Sequence, residues 1–233
     1  MVFCLKFCIF KTIFDIDKYI KIMKTKFLVN SRITTKLNCV KEYRCSPKTK
    51  FELLTMIHIM IQNENLYNLN CIDVSNITDM SYLFYNNTYP IEIIKKLDIS
   101  EWNVSNVTDM CNMFKDVKAF NGKTLENWDV SNVTNMRGMF AGCEDLNCNL
   151  NNWDVSNVTD MAYMFTECCR FNSPLDKWNV SKVCNMQGMF QKCTFFNKDL
   201  NSWNVNIKDP VKMKCQFNGC YHLNQKPKWY VQK

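Results

Sequence analysis

From Ile72 onward one order of apolar and polar positions recurs along the chain. It reads IDVSNITDMSYLF at Ile72, WNVSNVTDMCNMF at Trp102, WDVSNVTNMRGMF at Trp128, WDVSNVTDMAYMF at Trp153 and WNVSKVCNMQGMF at Trp178. The tryptophans at 102, 128, 153, 178 and 203 are spaced by 26, 25, 25 and 25 residues. A last, degenerate unit, WNVNIKDPVKMKCQF, begins at Trp203; its Phe217, Cys220 and Leu223 return to the Phe, Cys and Phe columns after a two-residue insertion containing Pro210. A fixed period of this length is the signature of a repeat architecture. The array has six units, four of them regular.

Each unit holds two periodicities. Trp153 and Val155 sit two apart, as inward residues of a strand do, whereas Met161, Met164, Phe165 and Cys168 follow helical spacing. The pattern therefore predicts one short strand and one helical turn per rung. Thr159 is the expected N-cap of that turn and Asp160 its first-turn acid, a pair repeated as Thr78/Asp79 and Thr108/Asp109. Cys184 replaces the threonine in the fifth unit, so its turn is expected to be the loosest. One rung of this size cannot bury a Trp, two Met and a Phe by itself, so neighbouring rungs must stack around a shared core. The expected core columns are Trp102, Trp128, Trp153, Trp178 and Trp203; Met110, Met136, Met161 and Met186; and Phe114, Phe140, Phe165 and Phe190.

A short stack needs closed ends. PKTKFELLTMIHIMIQ at 47–62 sets Phe51, Leu54, Ile57 and Ile61 at helical spacing behind a proline, which suits a helix covering the first rung. The expected organisation is a basic N-terminal extension over 1–46, a helical N-cap over 47–70, six rungs over 71–224 and a basic tail over 225–233.

Of the 233 residues, 47% are hydrophobic and 22% charged, which excludes a wholly disordered or collagen-like chain. The formal charge of +7 belongs to the ends: residues 1–50 carry 12 basic against 3 acidic groups, 71–204 carry 11 against 16, and 205–233 carry 6 against 1. A mildly acidic middle argues against a nucleic-acid partner, which needs Lys and Arg gathered on one face. No Gly-x-Gly-x-x-Gly, P-loop, Gly-x-Ser-x-Gly or His-Glu-x-x-His run occurs.

The columns themselves carry little chemistry. Met110/Met113, Met136/Met139, Met161/Met164 and Met186/Met189 could offer thioethers to Cu(I), but their spacing marks the buried side of a turn and no histidine accompanies them. Cys143, Cys168, Cys193 and Cys220 form a further column, read as buried free thiols; stacking brings them within disulfide reach if the chain is exported. The cysteines lack the paired spacing of a zinc site. His58 and His222 both lie in end regions with no local signature of a cysteine nucleophile. Neither a metal nor any other cofactor is expected, and no enzymatic activity.

The residues flanking the Trp column should point away from the core. Glu101, Asn127, Asn152, Lys177 and Ser202 precede it, and Asn103, Asp129, Asp154, Asn179 and Asn204 follow it. They make the candidate partner-binding face, the plain alternative being a solvated edge of turn-forming Asp and Asn. Seven Asn-x-Ser/Thr sequons, at Asn76, Asn86, Asn103, Asn106, Asn132, Asn157 and Asn179, fall out of the repeat and would matter only in a secretory lumen.

The run WDVSNVTDMAYMFTECCRFNSPLDKW, with its Phe171-Asn172 step, resembles the 25-residue repeat of BspA-like leucine-rich-repeat surface proteins and mycoplasma-type lipoproteins. The resemblance covers roughly residues 47–224, entry segment included. It implies a leucine-rich-repeat-like α/β solenoid used for adhesion or protein recognition, found on bacterial surfaces and in large DNA viruses, with no catalytic residues to carry over. The N-terminal run MVFCLKFCIFKTIFDID has no basic n-region or small-residue cleavage site, Cys4 and Cys8 lack a lipobox, and no stretch of 18 apolar residues occurs. The expectation is a non-enzymatic recognition module or scaffold with a protein partner, placed inside the cell, or in host cytoplasm or virion for a viral member. An exported, cell-surface adhesin of the BspA type is the alternative.

Overall fold

The structure, a computed structural model, describes residues 45–64, 66–85 and 89–230. Most of the expected extension, 1–44, the Asn86 sequon and the last three residues of the expected tail lie outside the described residues.

The chain enters through a helix, α1, Lys50–Glu64. Thr49 starts it: its hydroxyl accepts from Glu52 N–H at 3.2 Å while the Glu52 carboxylate accepts from Lys48 N–H at 2.7 Å, a variant of the capping box. Leu53, Ile57 and Ile61 are fully buried, so the inward stripe runs through Leu53, and Leu54 and Phe51 of the expected stripe are half-buried. Lys50 Nζ ties the helix to the first repeat through both oxygens of Asp79, at 3.1 and 3.2 Å, and through Ser81 Oγ. A second short helix, α2, Ile91–Lys96, follows Pro90 and buries Ile94. It occupies the extra residues that lengthen the first repeat.

Successive repeats are joined in parallel register. Bridges link Asp79 to Asp109, Asp109 to Asn135, Asn135 to Asp160 and Asp160 to Asn185. From the fourth unit, the N–H groups of Met161, Tyr163, Phe165 and Glu167 donate to the carbonyls of Asn185, Gln187, Met189 and Gln191 at 2.8–2.9 Å. The N–H groups between them turn back instead: those of Met164, Thr166 and Cys168 donate to the carbonyls three residues earlier. Tyr163 (φ 60°) and Glu167 (φ 62°) produce this alternation by adopting the left-handed conformation. The Met-to-Cys stretch is thus a chain of turns and not the expected helical turn, because every second N–H is diverted to the next rung.

Two other expectations are corrected. Among the described residues the Trp-x-Val segments take part in no bridge, although Ile72, in the Trp column of the first unit, pairs with Cys45; the bridges between successive repeats lie seven residues further on, at Asp160 and its equivalents. Trp153 and Val155 are both buried with Asp154 exposed between them, and a tight turn follows: Val158 N–H donates to the Val155 carbonyl and Asp154 Oδ1 accepts from Ser156 N–H, each at 3.0 Å. Thr159 is not an N-cap either. Its N–H and hydroxyl both donate to the Thr134 carbonyl of the preceding rung, at 2.8 and 3.1 Å, and it is Asp160 that caps the following turn by accepting from Ala162 N–H. Cys184 keeps the main backbone bond of this column at 2.8 Å, to the Thr159 carbonyl, but the hydroxyl bond is lost, and the longer bond that Asp109, Asn135 and Asp160 N–H make to the equivalent carbonyls at 3.3–3.4 Å has no counterpart at Asn185 among the described residues.

The core follows the columns. Phe84, Phe114, Phe140, Phe165, Phe190 and Phe217 form one stack with centroid separations of 5.2–5.9 Å. Burying each phenylalanine is worth roughly 1.5–3 kcal/mol. Beside the stack runs a ladder of indoles whose Nε1–H groups donate to the preceding rung: Trp102 to the Leu69 carbonyl, Trp128 to Ile99, Trp153 to Leu125, Trp178 to Leu150 and Trp203 to Leu175, at 2.8–3.2 Å. Trp229, in the expected tail, adds one more step: it donates to the Leu200 carbonyl at 2.7 Å and stacks on Trp203 at 5.9 Å.

Candidate recognition face

All ten residues of the candidate face are exposed: Glu101, Asn103, Asn127, Asp129, Asn152, Asp154, Lys177, Asn179, Ser202 and Asn204. The two rows differ in what their side chains already do. In the row after the tryptophans, Asn103, Asp129, Asp154 and Asn179 each accept from the N–H of the serine two residues on, at 3.0–3.2 Å. These Asx turns set the direction of the chain as it leaves each Trp. The two bonds from Ser156 hold the Asp154 carboxyl below the usual carboxylate range. In the row before the tryptophans, Lys177 Nζ reaches Asn152 Oδ1 across 3.2 Å and Ser202 Oγ donates to the Asp176 carbonyl. That row is freer to meet a partner, because it does not shape the turn.

Further polar columns hold the rungs together. The side-chain Nδ2 of Asn106, Asn132 and Asn157 donates to the carbonyl of Ser75, Ser105 and Ser131 at 2.8 Å in each case. The Phe-Asn step has the same use: Asn147, Asn172 and Asn197 each accept, through Oδ1, the N–H of the next asparagine in the column. Three of the sequon asparagines are therefore ladder residues.

The thiol column is packed, not reactive. Cys143, Cys168, Cys193 and Cys220 donate through Sγ to the carbonyls of Phe114, Phe140, Phe165 and Phe190 at 2.7–3.0 Å. Burial pushes Cys143, Cys168 and Cys193 well up, Cys220 to about 11 and the neighbouring Cys148 to about 12. A thiol so protonated is a poor nucleophile and a poor ligand. The eight methionines of the paired columns are at most 1% exposed. His58 lies 6.4 Å from the Tyr89 ring, and His222 stacks on Phe195 at 4.8 Å. Among the described residues no cluster of His, Cys, Asp or Glu is placed to hold a metal ion, and no helix is long and apolar enough to cross a membrane.

A second exposed feature escaped the repeat reading. Tyr82 and Tyr85 meet edge to face at 5.6 Å with Lys115 over Tyr85, and Arg137 lies 5.0 Å above the Tyr163 ring. These side chains stand on or beside the left-handed positions of the turn stretch. Their residue types vary from rung to rung, and that variation is the one signal in the sequence that sets them apart from the core columns.

The repeat columns, the asparagine ladders and the Trp ladder together span the region that a family model recognises. Two matches, over residues 53–125 and 116–230, are to the family described as Mycoplasma protein of unknown function, DUF285. The chain belongs to this family. The matches overlap within the unit that begins at Trp102 and extend past Trp229. No curated protein and no solved structure matches the chain.

Proposed function

We propose that this chain is a protein-recognition module or scaffold: a leucine-rich-repeat-like solenoid of the BspA type whose exposed rows beside the Trp ladder engage a protein partner without chemistry. One observation carries the reading. A single backbone design is repeated rung after rung, with Trp, Met and Phe recurring in the inward columns from Trp102 to Trp203, while the equivalent exposed sites Glu101, Asn127, Asn152, Lys177 and Ser202 carry four residue types in five rungs. Uniform inside and variable outside is how repeat scaffolds present an extended contact surface. Family membership supports a repeat-type interaction module in general terms.

The test is proximity labelling in the producing cell with the full chain and with a variant in which Glu101, Asn127, Asn152 and Lys177 are changed to alanine, each protein checked for an unchanged melting curve. A small set of protein neighbours that the variant loses supports the proposal. The same neighbours with both proteins would place the contact elsewhere, and recovery from the cell surface with oxidised Cys168 and Cys193 would favour the adhesin.

A further inference from the structure

The two ends of the stack are finished differently. At the first repeat, α1 lies over the rung, with Leu53, Ile57 and Ile61 buried and Lys50 fastened to Asp79 and Ser81. At the last repeat the apolar surface is closed but the backbone is not. Tyr230 stands edge-on to Phe217 at 5.3 Å and Trp229 stacks on Trp203, which leaves Phe217 only 5% exposed.

The backbone edge beyond them repeats a donor pattern that every earlier rung satisfies. Met110, Asn112, Phe114 and Asp116 donate to alternate carbonyls of the next rung, as do Met136, Gly138, Phe140 and Gly142, and again Met186, Gly188, Phe190 and Lys192. In the last rung, Cys215, Phe217 and Gly219 occupy the columns of Gly188, Phe190 and Lys192. Their N–H groups have no partner among the described residues. Three backbone donors in register, with no acceptor, form an open edge.

The charge around that edge says what would meet it. Residues 205–230 carry Lys208, Lys212, Lys214, Lys226 and Lys228 against the single acid Asp209, and all five lysines are exposed. A second copy is a poor occupant: tail-to-tail contact opposes lysine to lysine, and head-to-tail contact meets a first rung already covered by α1.

We infer that the C-terminal edge is a second interaction surface, which takes an extended acidic segment of a partner protein as a further parallel rung. Alternate carbonyls of that segment accept from the N–H groups of Cys215, Phe217 and Gly219, and its carboxylates face the lysines. This is strand addition at an exposed edge, in which main-chain bonds give affinity and side-chain charge gives selectivity. The inference uses a different surface from the rows beside the Trp ladder and stands apart from that proposal.

The experiment uses the full chain and a fluorescently labelled peptide of alternating Glu and Val, with an alternating Lys and Val peptide as control. The Glu peptide should bind with an affinity that falls as salt is added, slow hydrogen exchange at the Cys215, Phe217 and Gly219 amides, and bind about tenfold more weakly to the triple variant Lys212→Glu, Lys214→Glu, Lys228→Glu. The variant is checked by unchanged protection of the Met186, Gly188 and Phe190 amides. If it fails to fold, exchange on the unaltered chain decides alone. No binding, binding without protection of those three amides, or equal binding of the Lys peptide would overturn the inference. Protection that appears with rising protein concentration and no peptide, together with dimers in sedimentation, would also overturn it by making a second copy the occupant.

Discussion

Gly188 lies against the ring of Tyr163 in the preceding rung, so close that a Cβ at Gly188 would stand 2.7 Å from two of the ring carbons. Gly188 also adopts φ 61°, in a column where Tyr163 itself adopts φ 60°. The left-handed backbone is therefore common to the column, and glycine at 188 is required by the tyrosine beside it. Arg137 lies over that ring, 5.0 Å from its centre. Gly188→Ala adds both strain and a clash, and should lower stability by about 1–3 kcal/mol in chemical denaturation. The double change with Tyr163→Ala should restore part of the loss, since it removes the clash and leaves the strain.

The indole ladder makes a second prediction. Trp153→Phe keeps an aromatic ring in the column but leaves the Leu125 carbonyl without the bond it accepts from Nε1. The expected cost is about 1–3 kcal/mol, measured as a shift of the denaturation midpoint with unchanged slope.

The columns were legible because bulky apolar residues return every 25 positions, and the identity of the buried set needed nothing more. What joins one rung to the next was not legible. Asn112, Asp116 and Tyr163 adopt positive φ, and the sign of it in the sequence was the glycines of the same columns, Gly138 and Gly188, Gly142 and Gly219; when these are passed over, a succession of turns reads as helical spacing. Likewise Trp153 and Val155 alternate inward like a strand, but the bridge that joins the rungs lies at Asp160, beyond the turn that follows Val155. Trp229 follows Trp203 by 26 residues and was open to view as a further step of the ladder. The candidate face was placed on exposed positions, but the sequence could not show that Asn103, Asp129, Asp154 and Asn179 spend their oxygens on turns.

Gln216 breaks the second methionine column, where Leu83 stands in the first rung and Met113, Met139, Met164 and Met189 in the four that follow. It is 1% exposed; among the described residues its Oε1 has no partner, and its Nε2 meets the sulfur of Met213. Gln216→Met should raise stability by about 1–2 kcal/mol, because it removes a buried unsatisfied acceptor and restores the volume the column is built for. Differential scanning calorimetry reads this as a higher melting temperature.

Stability should also fall on the alkaline side. In the unfolded chain the thiols titrate near 9.0, whereas burial raises Cys220 to about 11 and Cys148 to about 12, and takes Cys143, Cys168 and Cys193 well up. Above that unfolded value the unfolded state binds fewer protons than the native one, so each such group subtracts about 1.4 kcal/mol per pH unit until its own folded value is passed. Denaturant titrations should therefore give stability that is level from neutral pH up to about 9 and declines steeply above it, with a separate loss at acid pH as the lowered carboxyls of Asp79, Asp98 and Asp154 protonate. The exposed Cys184 and Cys215 should react with a thiol reagent at neutral pH while the column cysteines remain protected.

The most direct test of the stacked-rung account is the deletion of one whole period, residues 153–177, with a deletion of half that segment as control. If the rungs interact only with their neighbours, Trp178 takes the place of Trp153, its indole Nε1–H meets the Leu125 carbonyl, and the shortened chain still unfolds in one cooperative transition at a somewhat lower temperature. The half-period deletion should abolish that transition. Unfolding of the whole-period variant, or equal tolerance of both deletions, would contradict the account.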